Sequence, residues 1–217
     1  MKSLEELIDL GDPGIDLVRE FLSTADVPCD ELPPADAAGD ALLKLQVTTR
    51  SPLGAVIYDT GGILIDGGWL RILGSGHERL PRSLLEWNEG RAAGYLLVAD
   101  DAAGGFFAIN GGALGGDKGS LYYWGPDCIE WEPLDIVYPQ FLAWCTTDQL
   151  AGFYKELRWP TWRKDARVLA SDRCYQFNPP LWSAEGSVKD SERTDIPVQE
   201  AFDLKADILG EFVDDDE

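Results

Sequence analysis

Gly94-Tyr-Leu-Leu-Val-Ala-Asp-Asp-Ala-Ala-Gly-Gly-Phe-Phe-Ala-Ile-Asn110 is the stretch on which the fold turns. Tyr95–Val98 and Phe106–Ile109 are short apolar runs rich in aromatic and branched side chains, so they read as strands. Asp100-Asp-Ala-Ala-Gly-Gly105 between them has turn chemistry: Asp bonds its own backbone, and Gly accepts a positive φ. The gap is too short for a crossover helix, so the two strands pair antiparallel. Downstream, Leu121–Trp124 and Ile129–Trp131 extend the series. Upstream, Trp69–Leu73 follows Gly67-Gly68, and Ala55–Tyr58 and Ile63–Ile65 flank Asp59-Thr-Gly-Gly62 as a hairpin.

Helical patterns bracket this strand-rich middle. Ser3-x-x-Glu6 is a capping box ahead of Leu4, Leu7 and Ile8. Asp12-Pro13 reads as an N-cap with Pro at the first helical position, and Ile15, Val18, Phe21 and Leu22 follow at helical spacing. A short helix is predicted from Pro81 to Asn88. Tyr138–Cys145 carries an apolar stripe, and Thr146-x-x-Gln149 opens a further helix bearing Leu150, Phe153, Tyr154 and Leu157. The expected architecture is α+β: a central, mainly antiparallel sheet with helices packed on it. Residues 1–212 are expected as a single domain with an acidic, Pro-rich surface loop near 26–40, and 213–217 as a disordered acidic tail.

The chain has 217 residues, of which 39 are acidic and 18 basic, for a net charge of −21. That balance weighs against nucleic acid as a partner, because neutralising phosphates with Lys and Arg dominates such binding. It weighs equally against docking on an anionic membrane. It favours solubility and rapid capture of a basic partner. The N-terminal stretch lacks the basic start and apolar run of a signal peptide, and no segment has the apolar length of a membrane span. Cys29, Cys128, Cys145 and Cys174 are scattered, and His77 is the single histidine. The expectation is a cytoplasmic protein with four free thiols, no metal and no cofactor.

Three stretches invite a chemical reading. The glycine-rich run Asn110–Ser120 lacks the Gly-Lys-Ser/Thr of a phosphate loop and precedes a strand, so it reads as a hairpin loop. His77 in Gly74-Ser-Gly-His-Glu78 has Ser75 as its nearest hydroxyl, but the nucleophile-elbow pattern is missing. Asp59 and Asp66 form one of many carboxylate pairs that abundance alone supplies. No catalytic residue is assigned. From Lys155 to Arg173 the charge reverses to six bases and three acids, interleaved with Trp159 and Trp162. Trp159, Trp162 and Arg163 are therefore candidate partner-binding residues, since Trp and Arg are enriched at interface hot spots. The alternative is that both rings are core and the bases line a solvated helix face.

The segment from Gly94 to Cys145 resembles the SUKH superfamily. The match is carried by Gly94–Asn110, by Gly119-Ser-Leu-Tyr-Tyr-Trp124 and by Phe141-Leu-Ala-Trp144. Trp131-Glu-Pro-Leu134, Phe153–Trp159 and Pro180-Leu-Trp-Ser-Ala-Glu-Gly186 resemble a bacterial domain-of-unknown-function family, number 2625. The SUKH resemblance implies a binding protein: members neutralise bacterial toxins, often nucleases, and others act as scaffolds. It transfers no catalytic residue. The expected function is thus non-catalytic binding of a basic protein toxin. The alternatives are an enzyme or small-molecule binder built from dispersed carboxylates and aromatics, or a scaffold.

Overall fold

The structure is a computed structural model that describes residues 1–91 and 94–214, with side chains of the last helix as far as Leu209. In chain order the elements are α1 (Leu4–Leu7), α2 (Gly14–Ser23), β1 (Cys29–Leu32), α3 (Ala38–Leu45), α4 (Pro52–Asp59), β2 (Gly62–Ile65), β3 (Leu70–Leu73) and α5 (Leu84–Asn88). There follow β4 (Tyr95–Asp101), β5 (Phe106–Asn110), β6 (Ser120–Trp124), β7 (Glu132–Val137), α6 (Tyr138–Cys145) and α7 (Gln149–Phe153). The chain closes with α8 (Trp162–Val168), β8 (Arg173–Asn178), β9 (Glu192–Pro197) and α9 (Val198–Asp214).

The expected α+β architecture with a central antiparallel sheet is what forms. Strands β1 to β7 lie side by side in sequence order, every neighbour antiparallel. The decisive hairpin pairs Leu96 with Ile109 and Asp100 with Phe106, with a register shift between Leu97 and Ala99. A second, two-stranded ribbon joins β8 to β9. Strands β2 and β3 are buried throughout, so the sheet is covered on both faces. Alternation along β5 shows what covers it. Phe106 meets Phe202 of α9 edge-on at 5.1 Å, while Phe107 turns the other way onto Phe141 of α6 at 5.0 Å. One hydrophobic cluster runs from Leu7 to Phe202 through these layers.

Several local expectations are corrected. Ala55–Tyr58 is not a strand but the body of α4, because Ser51 caps that helix at Gly54 N (3.1 Å) and Pro52 occupies its first turn. Capping there outweighs the branched side chains. Asp59–Gly62 accordingly links helix to strand, with the Thr60 hydroxyl donating to Val56 O at 2.7 Å. The 26–40 segment is not all loop: Cys29–Leu32 pairs with Gly62–Ile65 as an edge strand, and α3 begins at Ala38. The strand expected at 129–131 lies later, at Glu132–Val137. Helix α2 starts after Pro13, without an Asp12 cap, and α5 starts after Ser83. Thr146 does not cap α7; its hydroxyl donates backward to Ala143 O at 2.7 Å and closes α6. Val213 and Asp214 continue α9, and 215–217 lie outside the described residues. Among the described residues no helix is long and apolar enough to cross a membrane.

Candidate functional site

Two adjacent carboxylates at the end of β4 organise the interior. Asp100 and Asp101 alternate across the strand, so they face opposite ways. Asp100 Oδ1 accepts from Arg71 Nη1 at 3.2 Å, and its Oδ2 accepts from Arg82 Nη1 at 2.6 Å. Arg71 is 1% exposed and also donates to the carbonyls of Gly68, Ser171 and Arg173. Arg82 reaches the Ser171 carbonyl at 2.6 Å. The pair thus ties β3 and β4 to the segment between α8 and β8. Asp101 Oδ1 accepts the backbone N–H groups of Ala103 and Gly105, and its Oδ2 accepts the hydroxyls of Tyr123 (2.8 Å) and Tyr154 (3.1 Å). Burial pushes the Asp101 carboxyl up, and these four bonds oppose that shift.

The basic, Trp-bearing segment folds inward. Trp159 and Trp162 are 2% and 7% exposed and pack around Trp69, with ring centroids 5.5 and 5.1 Å from it. Arg158 lies between, 3.7 Å from the Trp162 centroid, with Nη2 donating to Asp66 Oδ2 at 2.7 Å. Burial pulls the Arg158 guanidinium down and Asp66 holds it up. Of the three candidate partner-binding residues, Trp159 and Trp162 are core side chains. The exposed Arg163 covers the outer face of Trp162 at 4.4 Å. The core alternative describes both rings, which pack on Trp69 and leave almost none of their surface to solvent.

Two of the surface depressions are candidate sites. One is a cleft of about 690 Å³, lined by charged and apolar residues alike, between Pro28–Asp30, Gly67-Gly68, Glu78–Arg79 and Ala166–Asp172. The other, about 130 Å³, is apolar and lies between α9 and the β8–β9 ribbon, with Trp182 and Leu204 on its walls. Sequence reading had singled out neither, since each joins residues remote along the chain.

The catalytic constellations weighed from sequence are not assembled. The Ser75 hydroxyl donates to Thr60 O at 2.8 Å and accepts from Ala35 N, while His77 Nδ1 accepts from Arg79 N at 3.1 Å. Neither is oriented toward the other. Asp66 is engaged by Arg158, whereas Asp59 feels Arg19, Glu31 and Asp16. In the glycine-rich run, Asn110 Oδ1 accepts from Gly112 N and Leu114 N and closes the β5–β6 loop on itself. Cys29 borders the cleft, but burial pushes its thiol up to about 11, away from nucleophilic thiolate. Among the described residues no group of three or more His, Cys, Asp or Glu is placed to hold a metal ion.

Relatives extend over most of the chain. It is 42% identical over 186 residues to the putative uncharacterized protein YbfG of Escherichia coli (strain K12), covering 84% of this chain and 86% of that one. It is 39% identical over 189 residues to an uncharacterized protein of Haemophilus influenzae (strain ATCC 51907 / DSM 11121 / KW20 / Rd), covering 83% of each. No solved structure matches. Residues 4–201 match the model for the protein of unknown function DUF2625, and the chain belongs to that family.

Proposed function

We propose that this protein is a non-catalytic binder that captures a basic protein, acting as an immunity protein against a nuclease-type bacterial toxin. One observation carries the reading: the net charge of −21 is carried by the surface. Among the described residues only three carboxylates are buried, Asp66, Asp100 and Asp101. Each is held by arginine or tyrosine, and the interior takes in Arg71, Arg82 and Arg158 alongside them. Buried charges therefore nearly cancel, and the acidic excess faces solvent, where it steers a cation toward the protein. The SUKH resemblance of Gly94–Cys145 supports the toxin as the class of partner.

The test is affinity capture from the source bacterium followed by association kinetics at rising ionic strength. The expected partner is basic, and its association slows steeply with salt because the Debye length shrinks from about 10 Å at 0.1 M. An acidic partner, or an association rate indifferent to salt, overturns capture by charge. The larger cleft favours one other reading, a small-molecule binder, since its volume lies within the usual ligand-pocket range of about 300–1,000 Å³. Thermal-shift screening of metabolites, with Arg167→Ala as the cleft variant, separates the two.

A further inference from the structure

We infer that the apolar groove between α9 and the β8–β9 ribbon is the interaction surface, and that it takes a large apolar side chain from a basic polypeptide segment. The inference rests on the reading of the protein as a binder of basic proteins and says where and how the partner is gripped.

The groove is built from both directions. Helix α9 contributes Ala201, Leu204, Lys205 and Ile208, which recur at helical spacing on one face. The opposite wall holds Phe177, Leu181 and Trp182. The turn that carries Trp182 is tight: Ser183 Oγ donates to Pro180 O at 2.8 Å, and a Cβ on Gly186 would stand 1.9 Å from the same oxygen. The backbone that carries Trp182 is therefore restrained before any partner arrives, which lowers the ordering cost of binding.

Trp182 and Leu204 are 39% and 40% exposed, and both border the same space, which is on the scale of one large apolar side chain. An aromatic wall beside an unfilled apolar pocket is the form that interface hot spots take.

Charge selects the occupant. Glu200 and Asp207 on α9, each next to a lining residue, Asp127 next to the lining Pro126, and Glu185 three residues from Trp182 are all exposed. Among the described residues of the lining the one cation, Lys205, is spent internally: its ammonium donates to Gly125 O at 2.5 Å and Cys128 O at 3.2 Å, above the Trp124 ring. An apolar slot set among carboxylates matches a segment that presents Leu, Met or Phe among Lys and Arg, and it repels an acidic one.

Two fluorescent peptides test this: an amphipathic Lys/Leu peptide, and a peptide of equal charge in which every Leu is Ser. Their affinities are measured by anisotropy, at low and high salt, for the intact protein and for Trp182→Ser, Leu204→Ser and Val168→Ser. Val168 is 75% exposed and does not line the groove, so it serves as control. The expected result is tighter binding of the Lys/Leu peptide, weakened about tenfold or more by either groove variant and unchanged by Val168→Ser. Melting temperatures of the variants should match the parent. Salt-sensitive binding of the Lys/Leu peptide that all variants share overturns the groove and leaves capture by charge standing. Equal binding of both peptides has the same meaning. Failure of both peptides at low salt overturns capture by charge and the groove with it.

Discussion

Arg82 and Asp100 meet at 2.6 Å in the interior, and the same arginine holds the Ser171 carbonyl at 2.6 Å. With Arg71 on the other carboxylate oxygen, Asp100 becomes the point where the meander, the α5 approach and the later chain are fastened together. A buried ion group of this kind is weak evidence of net stabilisation, but its disruption leaves a charge without a partner.

Asp100→Leu should therefore destabilise the protein by about 3–5 kcal/mol, because Arg71 and Arg82 keep their burial and lose their shared carboxylate. Arg71→Met combined with Asp100→Leu should lose less than Asp100→Leu alone, since the double variant leaves one buried cation unpaired and not two. Urea unfolding of the two variants makes the comparison. A double variant worse than the single one would show that the carbonyl contacts of Arg71, and not its charge pairing, dominate.

Tyr154→Phe and Tyr123→Phe each remove one hydroxyl from Asp101 Oδ2. Each should lower stability by about 1.5–3 kcal/mol, the range for hydrogen bonds to a charged group. The folded-state carboxyl of Asp101 already lies above its ordinary value, and losing a donor raises it further. A carboxyl raised by folding binds its proton more tightly in the folded state, so its contribution falls as pH rises through the window between the two values. Both variants should thus look least impaired in mild acid. Denaturation midpoints measured against pH report this directly.

Burial depresses Lys205 from 10.5 to about 8. Below about 8 the folded protein bears the full burden of a buried ammonium, and between about 8 and 10.5 the unfolded chain binds more protons than the folded one. Stability relative to Lys205→Met should rise with pH across that interval. Thermal melts of the pair from neutral to alkaline pH are the measurement, and parallel curves would show that the Gly125 and Cys128 carbonyls keep the ammonium charged throughout.

All four thiols are pushed above their ordinary value, Cys29 to about 11 and Cys174 to about 12, with burial as the leading cause. Thiolate is the reactive form, so a disulfide reagent at neutral pH should label the native protein slowly and reach four equivalents only on unfolding. Rapid labelling of one native cysteine would revive the nucleophile reading.

Truncation separates the end of the chain from its anchor. Removing 213–217 should leave the melting temperature nearly unchanged. Removal of everything after Pro197 should abolish cooperative folding, because Phe202 packs on Phe106, Trp124 and Trp87, with ring centroids 5.1, 6.0 and 6.1 Å away. Phe202→Ala alone should cost about 3–5 kcal/mol.

What the sequence determined by itself were the features whose causes lie within a few residues. The Asp100–Gly105 turn between two apolar runs specified an antiparallel hairpin, and Ser3 and Glu6 specified a capping box. Only tertiary structure decided the rest. Ala55–Tyr58 suits strand or helix by composition, and the Ser51 cap with the packing of α4 on α2 and α6 chose helix. Cys29–Leu32 becomes a strand because β2 offers it an open edge. Trp159 and Trp162 could have faced a partner, yet they close over Trp69, 93 positions before Trp162 and 90 before Trp159. Arg71, Asp100 and Ser171, and likewise Trp182 and Leu204, converge from positions that share no local pattern. Turns and caps are short-range and written in order along the chain; burial and convergence are set by which surfaces meet, and that depends on the whole chain at once.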